Sequence, residues 1–238
     1  MRLIIIRHAD PNYEKDSLTP TGFKEADLLA DYLLKEKIDY VYCSPLGRAK
    51  DTIKPYLEKS GKEAPILPWL EEFHPYVKHP TTKARVAWDF LPEELTDSRL
   101  FTDEWHKAEI YKGTEVKKRY DEVVGAFDGL MRRHGYEIEG THYKVLDSNH
   151  DTILLSCHFG VSCVLLSRLL HCSPVIFWQG AVMIPSAITR LHSEERREGI
   201  ASFRMDLYGA TPHLDKAGEG RSFAARFCEC FSDDTRHD

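Results

Sequence analysis

Apolar residues along the chain fall into short continuous runs separated by segments with a helical repeat. Residues 2–6, ending in Leu3-Ile4-Ile5-Ile6, read as a strand buried on both faces, and the run stops on Arg7 and His8. Thr19-Pro20 supplies an N-cap followed by proline at the first helical position, and Phe23, Ala26, Ala30 and Leu33 recur at helical spacing. A helix over 20–35 is predicted. Residues 38–43 read as a second strand. Ser44-Pro45 repeats the cap-and-proline signal, predicting a helix to about Lys59 that Gly61 ends, and residues 64–67 read as a third strand. This alternation predicts an α/β fold with a mostly parallel sheet.

Between Glu71 and Tyr111 the periodicity is lost, and histidines, prolines, Trp88 and Trp105 are mixed with acids. The segment reads as an inserted helical cap over about residues 73–113. Thr114 then caps a helix whose stripe is Val116, Tyr120, Val123, Phe127 and Leu130. After turns at Gly135 and Gly140, residues 152–156 form an apolar strand that stops near His158. Gly160 and an apolar helix over 161–170 follow. Residues 188–192 and 201–207 alternate like antiparallel or edge strands, with the charge run 194–198 as a solvated turn between them. One α/β domain over 1–207 is expected, followed by a polar, surface-wrapping tail over 208–238 that carries Cys228 and Cys230.

Composition narrows the function. Apolar content of 42% and charged content of 29% are ordinary for a soluble globular protein. A formal net charge of -6 weighs against nucleic acid or anionic lipid as partner, so any anion site must be a local cation cluster. No apolar run has the length of a membrane span, and Leu3 to Ile6 is too short for a secretory h-region. A cytosolic location is expected. The six cysteines contain no CxxC pair, and Cys157, Cys163 and Cys172 sit in apolar segments as small hydrophobes. A zinc set of Cys157, His158 and Cys172 matches no usual ligand spacing. No metal and no cofactor are expected.

The strands ending at His8 and His158 deliver two imidazoles to loops at carboxyl strand ends, where open α/β sheets bind ligands. If the strands are neighbours, both histidines face one pocket. Arg48, about one turn after Ser44-Pro45, can reach the same place, and two helix N-termini add free N–H groups. Guanidinium forks from Arg7 and Arg48 suit phosphoryl oxygens, and a neutral imidazole suits in-line attack. Glu71 and Glu72 are the candidates for the acid that protonates the leaving alkoxide.

Arg7-His8-Ala9, Ser44-Pro45-Leu46-Gly47-Arg48-Ala49 with Thr52, Leu70-Glu71-Glu72, and His158-Phe159-Gly160-Val161 stand in the order of the four signatures of the histidine phosphatase superfamily. The chain resembles that family over about residues 1–207. The resemblance implies a three-layer αβα sandwich and metal-independent catalysis through a phosphohistidine at His8. It also implies that Arg7, Arg48 and His158 bind the phosphoryl group, and it selects Glu72 over Glu71 as the general acid. Two positions depart from the family pattern. Ala9 stands where glycine is usual, and Phe159-Gly160 replaces a glycine pair, so Phe159 either narrows the phosphate pocket or packs away from it.

Around this set, Asn12 and Tyr13 are readable as substrate ligands or as turn residues, and Ser44 as an N-cap. His74, His79 and His106 read as solvated loop histidines, and Trp88 and Trp105 as the core of the cap. The expected partner is a small phosphorylated metabolite, and a homodimer is compatible with this reading. Hydrolysis of a phosphomonoester leads. The alternatives are a phosphoglycerate-mutase-type phosphotransferase, which the acids Glu93, Glu94, Asp97, Asp103 and Glu104 disfavour, and a non-catalytic phospholigand-binding module.

Overall fold

The computed structural model describes residues 1–77, 85–224, 230–232 and 234–235. His79 and Cys228 lie outside the described residues. In chain order, β1 (Arg2–Arg7) is followed by a small hairpin of β2 (Pro11–Asn12) and β3 (Ser17–Leu18), then α1 (Pro20–Leu33), β4 (Tyr40–Cys43) and α2 (Gly47–Ser60). A second small hairpin, β5 (Tyr76–Val77) with β6 (Arg85–Val86), opens the insertion, which continues as 3-10 turns to Tyr111. Next come α3 (Val116–Arg133), β7 (Tyr136–Glu139), β8 (His142–Val145), β9 (Thr152–Cys157), α4 (Phe159–Leu170) and α5 (Pro174–Gly180). The long strands β10 (Ile188–Arg197) and β11 (Ile200–Ala210) and the short α6 (Pro212–Ala217) complete the elements.

Seven strands make one sheet in the order β4-β9-β1-β10-β11-β8-β7. The ladders β4·β9 and β1·β9 are parallel, while β10, β11, β8 and β7 join antiparallel in turn, so β10 and β8 alone run against the other five. The apolar run in β1 divides between the two faces, as a strand's period of two requires. Leu3 and Ile5 enter a core shared with α3, α4 and α5, whereas Ile4 and Ile6 enter one shared with α1 and α2. β9 divides likewise, with Ile153 and Leu155 on the first face and Leu154 on the second. Helices on both faces of a mostly parallel sheet are the expected α/β arrangement.

The local signals resolve unevenly. Thr19 caps α1 as expected, accepting from Gly22 N–H at 3.0 Å, and Gly61 ends α2 at a left-handed φ of 70°. The predicted third strand does not form: among residues 64–67 only Ile66 bridges Cys43, because Pro65 and the following Pro68 lack the N–H groups a ladder needs. α2 starts at Gly47 with Leu46 at its N-cap, so Ser44 does not cap it. Most of the charge run, 194–197, lies inside β10 and only Glu198 falls in the turn, and Glu194 pairs with Arg196 and Arg204. The sequence pattern does not predict the β2–β3 and β5–β6 hairpins, the β7–β8 hairpin, α5 or α6, although Tyr136/Ile138 and Tyr143/Val145 alternate around Gly140.

Across the described part of the insertion there are 3-10 turns and no α-helix. Trp105 stacks edge-on against Tyr111, Tyr120 and Trp178, which ties these turns into the α3–α5 core. No helix among the described residues is long and apolar enough to cross a membrane.

The central ladder carries the fold. Leu155 in β9 has no exposed surface. Leu155→Ala is expected to lower the unfolding free energy by about 2–5 kcal/mol, read as a lower urea midpoint at unchanged slope.

Candidate active site

Three adjacent strand ends converge. In the parallel ladder β1·β9 Arg7 lies opposite Cys157, and His8 N–H continues it by donating to the Cys157 carbonyl at 2.9 Å. His8 and His158 are therefore the first residues past two neighbouring strands, and their rings lie 5.1 Å apart. On the other side of β9, β4 pairs Cys43 with Ser156, and Ser44 N–H donates to the Ser156 carbonyl at 2.9 Å. Ser44 thus stands beside His158, its Oγ 2.7 Å from His158 Nε2, and it also accepts from Leu46 N–H at 3.2 Å. This serine is a histidine partner, a role its place before a proline hid.

Each imidazole is buried and has a defined orientation. His8 Nδ1 lies 2.8 Å from the Ala9 carbonyl, which can only accept, so Nδ1 carries the proton and Nε2 keeps its lone pair. Burial first, then the neighbouring Arg7 and Arg48 charges, holds the His8 pKa well below the usual histidine value, with the Ala9 bond opposing. For His158, burial again leads, followed by the charges of His8, Arg48, Arg7 and His74. Both rings are neutral near neutral pH. Ala9 is fully buried, and its N–H donates to Thr52 Oγ1 at 2.9 Å, fastening the loop after His8 to α2.

Arg7 is buried and donates through Nη1 to the Met183 carbonyl at 2.6 Å and the Ala224 carbonyl at 3.3 Å. The C-terminal segment thus returns to the site, where Ser222 also bonds Glu25 and Glu25 Oε2 accepts from Asp10 N–H. Arg48 pairs with Asp16, Nη1 to Oδ1 at 2.7 Å, and its guanidinium lies 5.4 Å from the Tyr13 ring centroid. Tyr13 meets the His8 ring edge-on at 6.4 Å. The sequence reading left Tyr13 undecided and missed Asp16; neither occupies a position that local spacing ties to Arg48.

Glu72 and Glu71 diverge. Glu71 turns outward to Arg119 at 2.8 Å, in a cleft of about 600 Å³ lined also by His74, Glu115, Lys118 and Glu122. The Glu72 carboxylate turns inward, where Oε1 accepts from Phe73 N–H at 2.7 Å and from Val161 N–H, in the first turn of α4, at 3.1 Å. Burial raises the Glu72 pKa, against those two N–H groups, Arg7 and Arg48. Gly160 makes the approach possible. A Cβ there would lie 2.8 Å from Glu72 Oε1 and 2.5 Å from Trp88 Nε1, and Trp88 is itself fixed by donating to the Phe73 carbonyl at 2.9 Å. Phe159 packs away, buried and edge-on to Trp88 at 5.4 Å. Asn12 serves the turn, its Oδ1 accepting from Lys15 N–H at 3.2 Å.

Three buried polar atoms in this cluster have no hydrogen-bond partner: Arg7 Nε, Arg48 Nε and His158 Nδ1. Buried donors are almost always paired, so such a set marks the place of an acceptor-rich ligand. Cys157 and Cys172 do not join His158; the Cys157 thiol is 3.3 Å from Ser162 Oγ, and Cys172 lines a cleft with His171, beyond the other end of α4. Among the described residues no group of His, Cys, Asp or Glu is arranged to hold a metal ion.

A family model for the histidine phosphatase superfamily (branch 1) matches residues 3–206. A probable phosphatase of Schizosaccharomyces pombe is 37% identical over 94% of this chain and 100% of its own length. Phosphoserine phosphatase 1 of Hydrogenobacter thermophilus is 26% identical over 56% of this chain and 66% of its own. Among solved structures, a mutant phosphoserine phosphatase of Entamoeba histolytica in complex with phosphoserine superposes with a TM-score of 0.59 at 19% identity. That match covers 90% of this chain and 98% of the other, and at such identity it shows a shared fold. A mycobacterial glucosyl-3-phosphoglycerate phosphatase bound to inorganic phosphate gives 0.57 at 22% identity, over 89% and 98%.

Keeping two histidines neutral has a measurable consequence. Each binds a proton less readily when folded than when unfolded, where the pKa is about 6.5. The unfolded state therefore gains protons first, and stability falls as pH drops below 6.5. His106, His134, His171 and His213, also lowered by burial, act in the same direction, whereas the raised Glu72 and Glu25 act oppositely. The urea midpoint is expected to drop on acidification below 6.5, and to drop less in His8→Asn. Identical pH dependence in both proteins would refute the buried neutral histidine.

Proposed function

The chain belongs to the histidine phosphatase superfamily (branch 1), and from that premise we propose that it hydrolyses a small phosphomonoester through a phosphohistidine at His8. The observation that carries this reading is the convergence of three unpartnered buried atoms, on Arg7, Arg48 and His158, beside a histidine whose Nε2 is free to attack.

In the proposed reaction the phosphoryl oxygens take up the unfilled donors of Arg7 and Arg48 and a proton-bearing nitrogen of His158. Positive charge comes from the two guanidiniums, so the reading calls for no metal. His8 Nε2 attacks phosphorus in line as the ester P–O bond breaks, and Glu72, entering as the carboxylic acid, gives its proton to the leaving alkoxide. Burial already raises the Glu72 pKa, and a phosphate dianion nearby raises it further. Water then attacks the phosphohistidine while the Glu72 carboxylate takes its proton. This releases inorganic phosphate, restores the acid and returns the bonding pair to His8 Nε2. Throughout, Nδ1–H stays on the Ala9 carbonyl.

The ionic pairing of Glu71 with Arg119 argues for Glu72 as the acid, since a carboxylate committed to an outward cation cannot serve the pocket. On the outer side Lys118 and Arg119 are already paired with Glu115, Glu71 and Glu122, so these two cations are committed to carboxylates of the chain and not to a second phosphorylated anion, which favours hydrolysis over phosphate retention.

His8→Ala is expected to abolish turnover of phosphomonoesters and to eliminate an acid-labile phosphoenzyme trapped by rapid quench; retained activity would sink the mechanism. Glu72→Gln is expected to slow alkyl phosphates by about 10²–10⁴-fold and activated aryl phosphates far less, because the latter need little leaving-group protonation. Should Glu71→Gln show that selectivity instead, the acid is its neighbour.

A further inference from the structure

Arg48 is steered by a loop residue that local sequence does not connect to it. Asp16 follows the β2 turn and adopts a left-handed φ of 46°, uncommon for any residue but glycine and best tolerated by Asp and Asn. Its two carboxylate oxygens have separate tasks. Oδ2 accepts from Gly47 N–H at 2.6 Å and Oδ1 from Arg48 Nη1 at 2.7 Å. The backbones meet so closely that a Cβ on residue 47 would fall 2.0 Å from the Asp16 carbonyl oxygen. α2 has no side-chain cap of its own at Leu46, so Asp16 caps it from outside and, in the same bond set, grips the first side chain of the helix.

The grip is directional. Arg48 is 12% exposed and Asp16 44%, so the pair lies at the rim, with the guanidinium inward and the carboxylate outward. One Nη is spent on Asp16, the Tyr13 ring lies along the guanidinium, and the buried Nε is left without a partner. Ser17 Oγ, bonded to Asp51 Oδ2 at 2.5 Å, pins the loop to α2 a second time. A long, flexible side chain is thereby held in one pose before any ligand arrives.

We propose that Asp16 is a positioning residue that sets phosphoryl affinity through Arg48, without itself touching substrate. The inference rests on the phosphatase reading, in which Arg48 is a phosphoryl ligand. Asp16→Asn keeps one acceptor and the tolerated backbone but cannot serve both donors; Asp16→Gly keeps the left-handed backbone and removes both.

The test is a double-mutant cycle read by calorimetric titration with inorganic phosphate and by steady-state kinetics. Both Asp16 variants are expected to weaken phosphate binding and raise KM by about tenfold, short of the roughly hundredfold that an ångström of misplacement costs, with kcat changed less. In an Arg48→Ala background, Asp16→Asn is expected to have no further effect. An equal, multiplicative loss in that background, unchanged phosphate affinity in the single variants, or failure of both variants to fold would overturn the proposal. If Arg48→Ala itself left phosphate affinity intact, the phosphatase reading of the site would fall instead.

Discussion

The parallel ladder between β1 and β9 places Arg7, His8 and His158, the side chains around which the candidate site is built. Its register sets Arg7 opposite Cys157, and one residue later two histidines emerge side by side. A slip of one residue would turn the apolar residues of either strand to the wrong face and separate the rings at the same stroke. The cores on the two faces, one with α1 and α2 and one with α3 to α5, therefore enforce the chemistry as well as the fold. β4 extends the same logic by one strand, carrying Ser44 to His158 and the start of α2, with Arg48, to the pocket.

The electrostatic character follows from that enclosure. Two guanidiniums in a buried space suppress protonation of the imidazoles beside them, and the neutral ring is the form that can act as a nucleophile. The same burial raises the pKa of the Glu72 carboxyl despite two N–H donors and two cations. One environment thus lowers the proton affinity of two imidazoles and raises that of a carboxylate. The unfilled donors left over are complementary to an anion.

Much of this was legible from the residues alone, because strand ends and helix starts are local events. The runs ending at His8 and His158 announced themselves by hydrophobicity, and Thr19, Pro20 and Gly61 by their backbone preferences. Glu71 and Glu72 could be ranked only by resemblance, since which adjacent carboxylate faces inward depends on Arg119 and on the first turn of α4, both distant in sequence. Asp16 and the carbonyl of Ala224 carry no sequence signal, and the partners of Ser44 and Tyr13 were not legible, for the same reason: each meets the site across loops with no periodic signal. The expected third strand is absent because Pro65 and Pro68 deny its apolar residues a ladder.

Gly160 binds the fates of three positions together. Its missing Cβ leaves room that Trp88 and Glu72 already occupy, and the indole is anchored by its own bond to the Phe73 carbonyl. Sequence drift at this point is consequently not free to proceed one residue at a time. Any larger residue at 160 presses on an acid and an aromatic at once, so it requires a shift or a smaller side chain at 72 or 88.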